Sequence, residues 1–340
     1  MKKMSIKDIA QQLNISTATV SYILNGKAKE KRIGDELAKK VRKYIKDINY
    51  EPNQLAQSLR TGKTNIICLM VEDIADQFFA ALAGHIETIA YERGYKIIYC
   101  STKNNTDKAK ELIKTFKLRN VDGYIITPPL GIENEIKNLI KSKVPVILFD
   151  RYYEDVNVSY VGMNNLESSY NAINHLHEQG YKNIACVTLD STQTQMQDRL
   201  KGYKNFLKEH KQKPIVKKFS YSDRMKNQIV DGITKMIKRH PKIDAIFFAT
   251  NYLAISGLEA LNNLGVIIPN QIGIVVFDDN DLFRIHQPSI TAVTQPINEM
   301  SNQLINILLE HMESDENYLA KSKVLPATLT IRQSSVRCIK

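Results

Sequence analysis

The apolar positions of this chain follow two rhythms. In the first fifty residues they recur every three or four positions, in short stretches. Ile6, Ile9, Ala10 and Leu13 form one stripe, Val20, Ile23 and Leu24 a second, and Leu37, Val41, Ile45 and Ile48 a third. A period near 3.6 predicts amphipathic helices. Each stretch carries its own punctuation. Ser5 stands at a capping position with Asp8 three residues on, the reciprocal capping pattern. Asn14-Ile15-Ser16 interrupts the first stripe, and Ser16 can cap a second helix over 17–24 that Asn25-Gly26 closes. A third helix is expected over 35–49. Two short helices joined by a tight turn, with a third packed across them, make a helix-turn-helix pattern.

From Ile66 the rhythm changes. Continuous apolar runs at 66–71, 96–100, 122–127 and 144–149 read as strands, with helical stretches at 79–93, 106–119 and 132–143 between them. The pattern then restarts. Strands are expected at 158–161, 183–189, 244–249, 272–277 and 327–331, and helices at 166–178, 197–210, 224–239, 252–264 and 297–312. Strands that are apolar throughout and alternate with helices predict parallel sheets covered on both faces. Two such halves in succession predict a cleft between them, with a ligand at the carboxyl ends of the strands. The expected architecture is therefore a small all-α helix-turn-helix head over 1–50, a connecting segment over 51–63, and an α/β core of two lobes over 64–340.

Charge sharpens this division. Residues 1–63 hold 14 Lys or Arg against 6 Asp or Glu, and the remaining 277 residues hold 33 against 30. Most of the net charge of +11 thus sits in the head. A compact basic segment beside a near-neutral body suggests a polyanion partner. The side chains near the start of the second helix that the core does not need are Thr17, Ala18, Thr19, Ser21 and Tyr22. Small side chains let a helix approach a groove, and hydroxyls can bond phosphates or base edges. In the connecting segment Pro52 suits a first helical turn and Gly62 an end. Leu59, beside Arg60, has little reason to exist in a plain linker.

Several function classes are disfavoured. No apolar run reaches the ~20 residues of a bilayer crossing. Asp8 stands where a signal peptide would need an apolar stretch, so a cytoplasmic product is expected. Cys68, Cys100, Cys186 and Cys338 are far apart in sequence and include no C-x-x-C pair, which reads as reduced core thiols. There is no phosphate loop, nucleophile elbow, H-E-x-x-H or G-x-G-x-x-G. The seven histidines are scattered, and His175 and His177, two apart, oppose one another on a helix. No cofactor, metal site or enzymatic activity is expected.

The cleft candidates come from strand ends and the turns after them. Asp150 follows an apolar run, as do Asn251 and Asp278. Arg199 lies near a helix start, Gln295 precedes Pro296, and Phe78 and Phe79 follow the first strand. Carboxylates, an amide and a guanidinium can make paired bonds to vicinal hydroxyls, and an aromatic face can stack on a ring. That combination suits a sugar-like ligand.

The run Ser16-Thr17-Ala18-Thr19-Val20-Ser21-Tyr22-Ile23-Leu24-Asn25, followed by Tyr50-Glu51-Pro52-Asn53 and Ala56-Gln57-Ser58-Leu59-Arg60, resembles the lactose/galactose-repressor (LacI/GalR) family. The resemblance covers essentially the whole chain and implies a periplasmic-binding-protein-like (type I) core. It implies operator DNA, a small-molecule effector and a second copy of the chain as partners. DNA contacts are implied for Ser16, Thr17, Ala18, Thr19, Ser21, Tyr22, Asn25 and Lys29 of the head, and for Asn53, Ala56, Leu59 and Arg60 of a hinge helix whose leucine wedges into the minor groove. Arg199, Asn251 and Asp278 match effector-binding positions; Phe78, Asp150 and Gln295 match cleft-lining ones. Three departures stand out. Ile33-Gly34-Asp35-Glu36 lacks the usual hydroxyl cap, Tyr22 occupies a position that sets operator preference, and Tyr252 replaces a common Asp. Two other functions share such a core. A transport sugar-binding protein is disfavoured by the head, and a cytosolic sugar enzyme by the missing catalytic constellation.

Overall fold

A computed structural model describes residues 4–48, 50, 62–221, 228–314 and 319–337. The chain divides into two compact units, Met1–Thr64 and Asn65–Lys340.

The first unit holds α1 (Ile6–Gln12), α2 (Thr17–Leu24) and α3 (Asp35–Asp47). The capping box is present: Ser5 Oγ accepts the Asp8 N–H at 3.3 Å, and Asp8 Oδ2 accepts the Ser5 N–H at 2.7 Å. The turn to α2 needs a left-handed residue, and Asn14 supplies it at φ 53° while Ile15 N–H bonds Ala10 O at 3.0 Å. Ser16 Oγ then accepts the Thr19 N–H at 3.0 Å. The start of α3 lacks a hydroxyl, and Gly34 stands at its N-cap without a side-chain bond. Asp35 and Glu36 in the first turn complement the dipole instead. Ile9, Val20, Ile23, Ala38 and Val41 close the core, all from the three expected stripes except Ala38.

The second unit contains two lobes. In chain order come β1 (Ile66–Val71), α4 (Gln77–Glu92), β2 (Lys96–Ser101), α5 (Thr106–Leu118), β3 (Gly123–Ile126), α6 (Glu133–Lys141), β4 (Val146–Phe149) and β5 (Ser159–Met163). The chain continues with α7 (Asn165–Glu178), β6 (Ile184–Leu189), α8 (Thr194–Glu209), β7 (Ile215–Phe219), α9 (Gln228–Arg239), β8 (Ala245–Phe248), α10 (Asn251–Asn263) and β9 (Gly273–Phe277). It ends with α11 (Asp281–Ile285), β10 (Thr291–Thr294), α12 (Ile297–Glu313), β11 (Ser322–Leu325) and β12 (Thr328–Thr330). Of the expected helix over 224–239, residues 224–227 lie outside the described residues.

The first sheet runs β11-β5-β4-β3-β1-β2, and all its strands are parallel. The second runs β12-β10-β9-β8-β6-β7, parallel except where β12 pairs antiparallel with β10. The pleat divides each apolar strand between two cores. In the first lobe Ile67, Leu69 and Val71 face α4 and α12, while Cys68 and Met70 face α5 and α6. In the second, Ala185 and Val187 face one core and Ile184 and Cys186 the other. Helices α7 and α8 approach so closely that a Cβ at Gly202 would stand 2.3 Å from Leu166 O.

The expectation of two halves in strict succession is corrected. Helix α12 packs Met300, Leu304 and Leu308 into the first lobe, and β11 joins the first sheet. The chain therefore crosses between lobes three times, after β5, β10 and β11. The amphipathic pattern of 297–312 shows a helix but not which sheet receives its face. Asn164 fastens two crossovers together: its N–H bonds Leu325 O at 3.1 Å, and its Oδ1 accepts the Ala327 N–H at 2.9 Å. Cys68 and Cys100, 32 positions apart, lie on neighbouring strands with Sγ atoms 3.7 Å apart; both are buried and reduced. Cys338 lies outside the described residues.

Two buried histidines make stability sensitive to acid. His175 Nε2 lies 2.8 Å from Ser335 Oγ, and His311 Nε2 lies 3.4 Å from Ser159 Oγ. Burial lowers both rings below their ordinary value of 6.5. The unfolded chain thus takes up these protons first, so stability is complete above about pH 7 and falls as pH drops through 6.5. Thermal melts from about pH 7.5 to about pH 5.5 should show this decline, and His175→Gln should flatten it.

Candidate functional site

On the head, α2 presents Ser16, Thr17, Ala18 and Tyr22 to solvent, with Thr19 and Ser21 half-buried. Tyr22 is 37% exposed, with Lys31 Nζ 5.6 Å from its ring centroid. Lys29 is exposed in the turn after α2. Asn25 closes the helix, its Nδ2 donating to Ser21 O at 2.8 Å. Ser16 and Thr19 likewise share a hydroxyl bond of 2.8 Å. The face that remains is small, hydroxylic and flanked by lysines. Asn53, Ala56, Leu59 and Arg60 lie outside the described residues.

In the second unit all six expected cleft residues line one cavity between the lobes. Phe78, Asp150, Arg199, Asn251, Asp278 and Gln295 surround a cavity of about 40 Å³. Two carboxylates set its geometry. Asp150 follows β4 and Asp278 follows β9, at equivalent strand ends of the two lobes. Their backbones are left-handed, with φ 66° and 73°. Each N–H bonds the next strand, Asp150 to Val161 O at 3.2 Å and Asp278 to Val293 O at 3.1 Å. Aspartate tolerates this region better than most residues, and strain of this kind collects at ligand sites.

Each carboxylate is held by a buried guanidinium. Arg199, 2% exposed, donates Nη1 to Asp278 Oδ2 at 3.3 Å and to Ala249 O at 2.8 Å, and Nε to Asn165 Oδ1 at 2.9 Å. Its guanidinium lies 3.6 Å from the Phe277 ring centroid. Gln295 Nε2 donates to the other oxygen of Asp278. Arg151, 3% exposed, donates Nε to Asp150 Oδ2 at 3.3 Å, Nη1 to Asn104 Oδ1 at 2.7 Å, and Nη2 to Glu72. Burial raises the Asp150 carboxyl above the ordinary range; Arg151 and Arg199 oppose this, while Glu72 and Asp278 add to it. Burial also works against the charge on Arg151, but Glu72 and Asp150 outweigh it and hold that pKa up.

Hydrogen bonds among the described residues join the lobes across the cleft. Gln195 Nε2 donates to Asp150 Oδ2 at 3.2 Å, and Gln193 Nε2 to Asn104 Oδ1 at 3.1 Å. Asn251 Nδ2 donates to Asp76 Oδ1 at 3.2 Å, and Tyr152 N–H to Thr194 Oγ1 at 3.4 Å. Thr250 caps α10, and Asn251 Oδ1 accepts the Tyr252 N–H at 2.6 Å. Phe79 belongs to both the cleft wall and the first lobe's core. Tyr252 also lines the cleft. Sequence reasoning missed Glu72, Asp76, Arg151, Gln193 and Gln195. Glu72 and Arg151 lie one step past strand ends already singled out, so the same rule reaches them. Nothing in the sequence marks Gln193 or Gln195 apart from their nearness to a helix start. Among the described residues no group of three or more His, Cys, Asp or Glu can hold a metal ion, and no helix is long and apolar enough to cross a membrane.

These features define a class: a helix-turn-helix head joined to a two-lobed, ligand-binding α/β core. Residues 173–335 match the periplasmic binding protein-like domain, and residues 5–53 match the bacterial regulatory proteins of the lacI family. The chain is 29% identical over 331 residues to the ribose operon repressor of Halalkalibacterium halodurans, covering 97% of each chain. It is 29% identical over 336 residues to catabolite control protein A of Priestia megaterium, covering 97% of this chain and 99% of that one. The fold is similar to that of the lac repressor dimer bound to operator, with a TM-score of 0.86 at 18% identity over 99% of this chain and 100% of that one. The chain belongs to the lacI family of bacterial regulatory proteins, which are ligand-responsive DNA-binding transcriptional regulators and not enzymes.

The pairing of Arg199 with Asp278 predicts an asymmetric response to truncation. Asp278→Ala leaves a buried guanidinium short of its counter-charge, a change that costs about 3 kcal/mol in comparable settings. Asp278→Asn keeps a hydrogen-bond acceptor and should cost less. Urea unfolding of both variants and of wild type measures the difference.

Proposed function

We propose that this chain represses genes for carbohydrate uptake or catabolism, binding a palindromic operator as a homodimer with a sugar or sugar derivative in the interlobe cleft. The observation that carries this reading is the convergence of Asp150, Asp278, Arg199, Asn251 and Gln295 on one cavity walled by Phe78. Paired carboxylates and amides suit vicinal hydroxyls, and the aromatic edge suits the apolar face of a sugar ring. The ribose operon repressor of H. halodurans and the sucrose operon repressor of Pediococcus pentosaceus, 27% identical over 329 residues, support the carbohydrate class. A transcriptional regulator CelR in complex with cellobiose shares the fold at a TM-score of 0.69. Thr17, Ala18, Ser21 and Tyr22 are the base-reading candidates, and Leu59 and Arg60 the minor-groove ones. One short helix reads too few base pairs alone, which favours two copies on an inverted repeat. Such a regulator works in the cytoplasm, on the nucleoid.

The test is a gel-shift titration with an operator fragment, with and without the small molecule that moves it. Wild type should bind as a dimer, and log affinity should fall steeply with log salt as phosphates are neutralised. Asp278→Asn should keep basal operator affinity within a few-fold while the ligand response falls by at least about ten-fold. A variant that still responds like wild type places the pocket elsewhere.

A further inference from the structure

The cleft's charges restrict the effector beyond the carbohydrate reading on which this inference rests. Four carboxylates line it, from Glu72, Asp76, Asp150 and Asp278, against two guanidinium groups, from Arg151 and Arg199. Both cations are already engaged. Arg151 pairs with Glu72 and Asp150, and Arg199 with Asp278 while it also donates to Ala249 O and Asn165.

A second chamber of about 240 Å³ shares Arg151 and Gln193 with the cleft. It adds Glu133, Glu154 and Asp155 and, among the described residues, no further Lys or Arg. An anion arriving by this side meets a field of its own sign.

Three helices begin at these cavities, and their positive ends could attract an anion. Two of those ends are already capped, while α8 has no side-chain cap. Asp76 Oδ1 accepts the Phe78 N–H at 3.0 Å at the start of α4, and Thr250 Oγ1 accepts the Leu253 N–H at 3.4 Å in α10. The start of α8, at Thr194, shares the outer chamber with Glu154 and Asp155.

One further atom shows what the cleft still needs. Gln195 is 4% exposed and spends its Nε2 on Asp150, while its Oε1 is buried without a hydrogen-bond partner. A buried acceptor in this state needs an O–H or N–H from a ligand. Only the hydroxyl or amine groups of a ligand supply one; an ionised carboxylate does not.

We infer that the effector is an uncharged or amine-bearing sugar and that sugar phosphates and sugar acids are rejected, with Glu72 and Asp76 as the discriminating acceptors. Isothermal calorimetry on the full-length protein tests this with matched probes: D-ribose against D-ribose 5-phosphate, and D-glucose and D-glucosamine against D-glucose 6-phosphate and D-gluconate. In whichever series binds, the uncharged or amine-bearing member should bind at least about ten-fold tighter than its anionic partner. Glu72→Gln, which removes one carboxylate and leaves Arg151 with Asp150 as its remaining counter-charge, should narrow that ratio whatever it does to absolute affinity. If the anionic member binds more tightly in wild type, the carbohydrate reading stands and this inference alone is overturned. If no sugar of either kind binds, the carbohydrate reading falls and the inference falls with it.

Discussion

The Arg199 guanidinium lies almost wholly out of water, and a buried charge persists only where every side of it is answered. Its partners determine how the core is joined. Nε reaches Asn165, just past the first crossover between lobes. Nη1 reaches Ala249 O at the end of β8 and Asp278 at the end of β9. Asp278 is held from its other side by Gln295, on the second crossover. One network thus links the cleft floor to two of the three chain crossings, and Asn164 links the first crossing to the third. A ligand hydroxyl that donates to Asp278 would change what Arg199 and Gln295 do. Fully satisfied polar networks of this kind hold a single arrangement, and partial replacement shifts them. Arg199, Asp278 and Gln295 would therefore connect a ligand in the cleft to lobe geometry.

The rest of the cleft serves the same end. Its two key carboxylates sit on left-handed turns just past the ends of β4 and β9. Interlobe hydrogen bonds already close the cavity, so a ligand competes with protein groups and not with water alone. The bonds from Gln193, Gln195 and Asn251 resemble what a polyhydroxylated ligand would make, and replacing them conserves hydrogen-bond number while changing which elements are joined. The head contributes a different physics. Its charge excess is sequence-blind and long-ranged, while the small hydroxylic face of α2 works only at contact.

Much of this was legible in the sequence, for physical reasons. The periods of 3.6 in the head and the unbroken apolar runs of the core are direct readouts of one-faced and two-faced burial. Asp150, Asn251 and Asp278 were found because strand ends converge in parallel sheets, a rule of topology, while Arg199, Gln295 and Phe78 came from the turns and helix starts beyond them and from the family resemblance. Other features were hidden. The pattern of 297–312 gave a helix, but its lobe depends on a crossover that local sequence does not encode. Strand β7 escaped because Lys217 and Lys218 interrupt its apolar run at a sheet edge, where charge is tolerated. Gln193 and Gln195 matter through the lobe opposite them, which no local pattern reveals. Cys68 and Cys100 are neighbours only because β1 and β2 pair side by side.

If the cleft and the interlobe crossings are one polar network, a ligand in the cleft must be felt at the crossings. Amide hydrogen exchange on the full chain, with and without the small molecule that shifts operator binding, measures this most directly. Ligand should slow exchange at residues 278–279 and, in the same titration, change it at 163–165 and 295–297. Protection confined to the cleft, with both crossings unchanged at saturation, would contradict a single network.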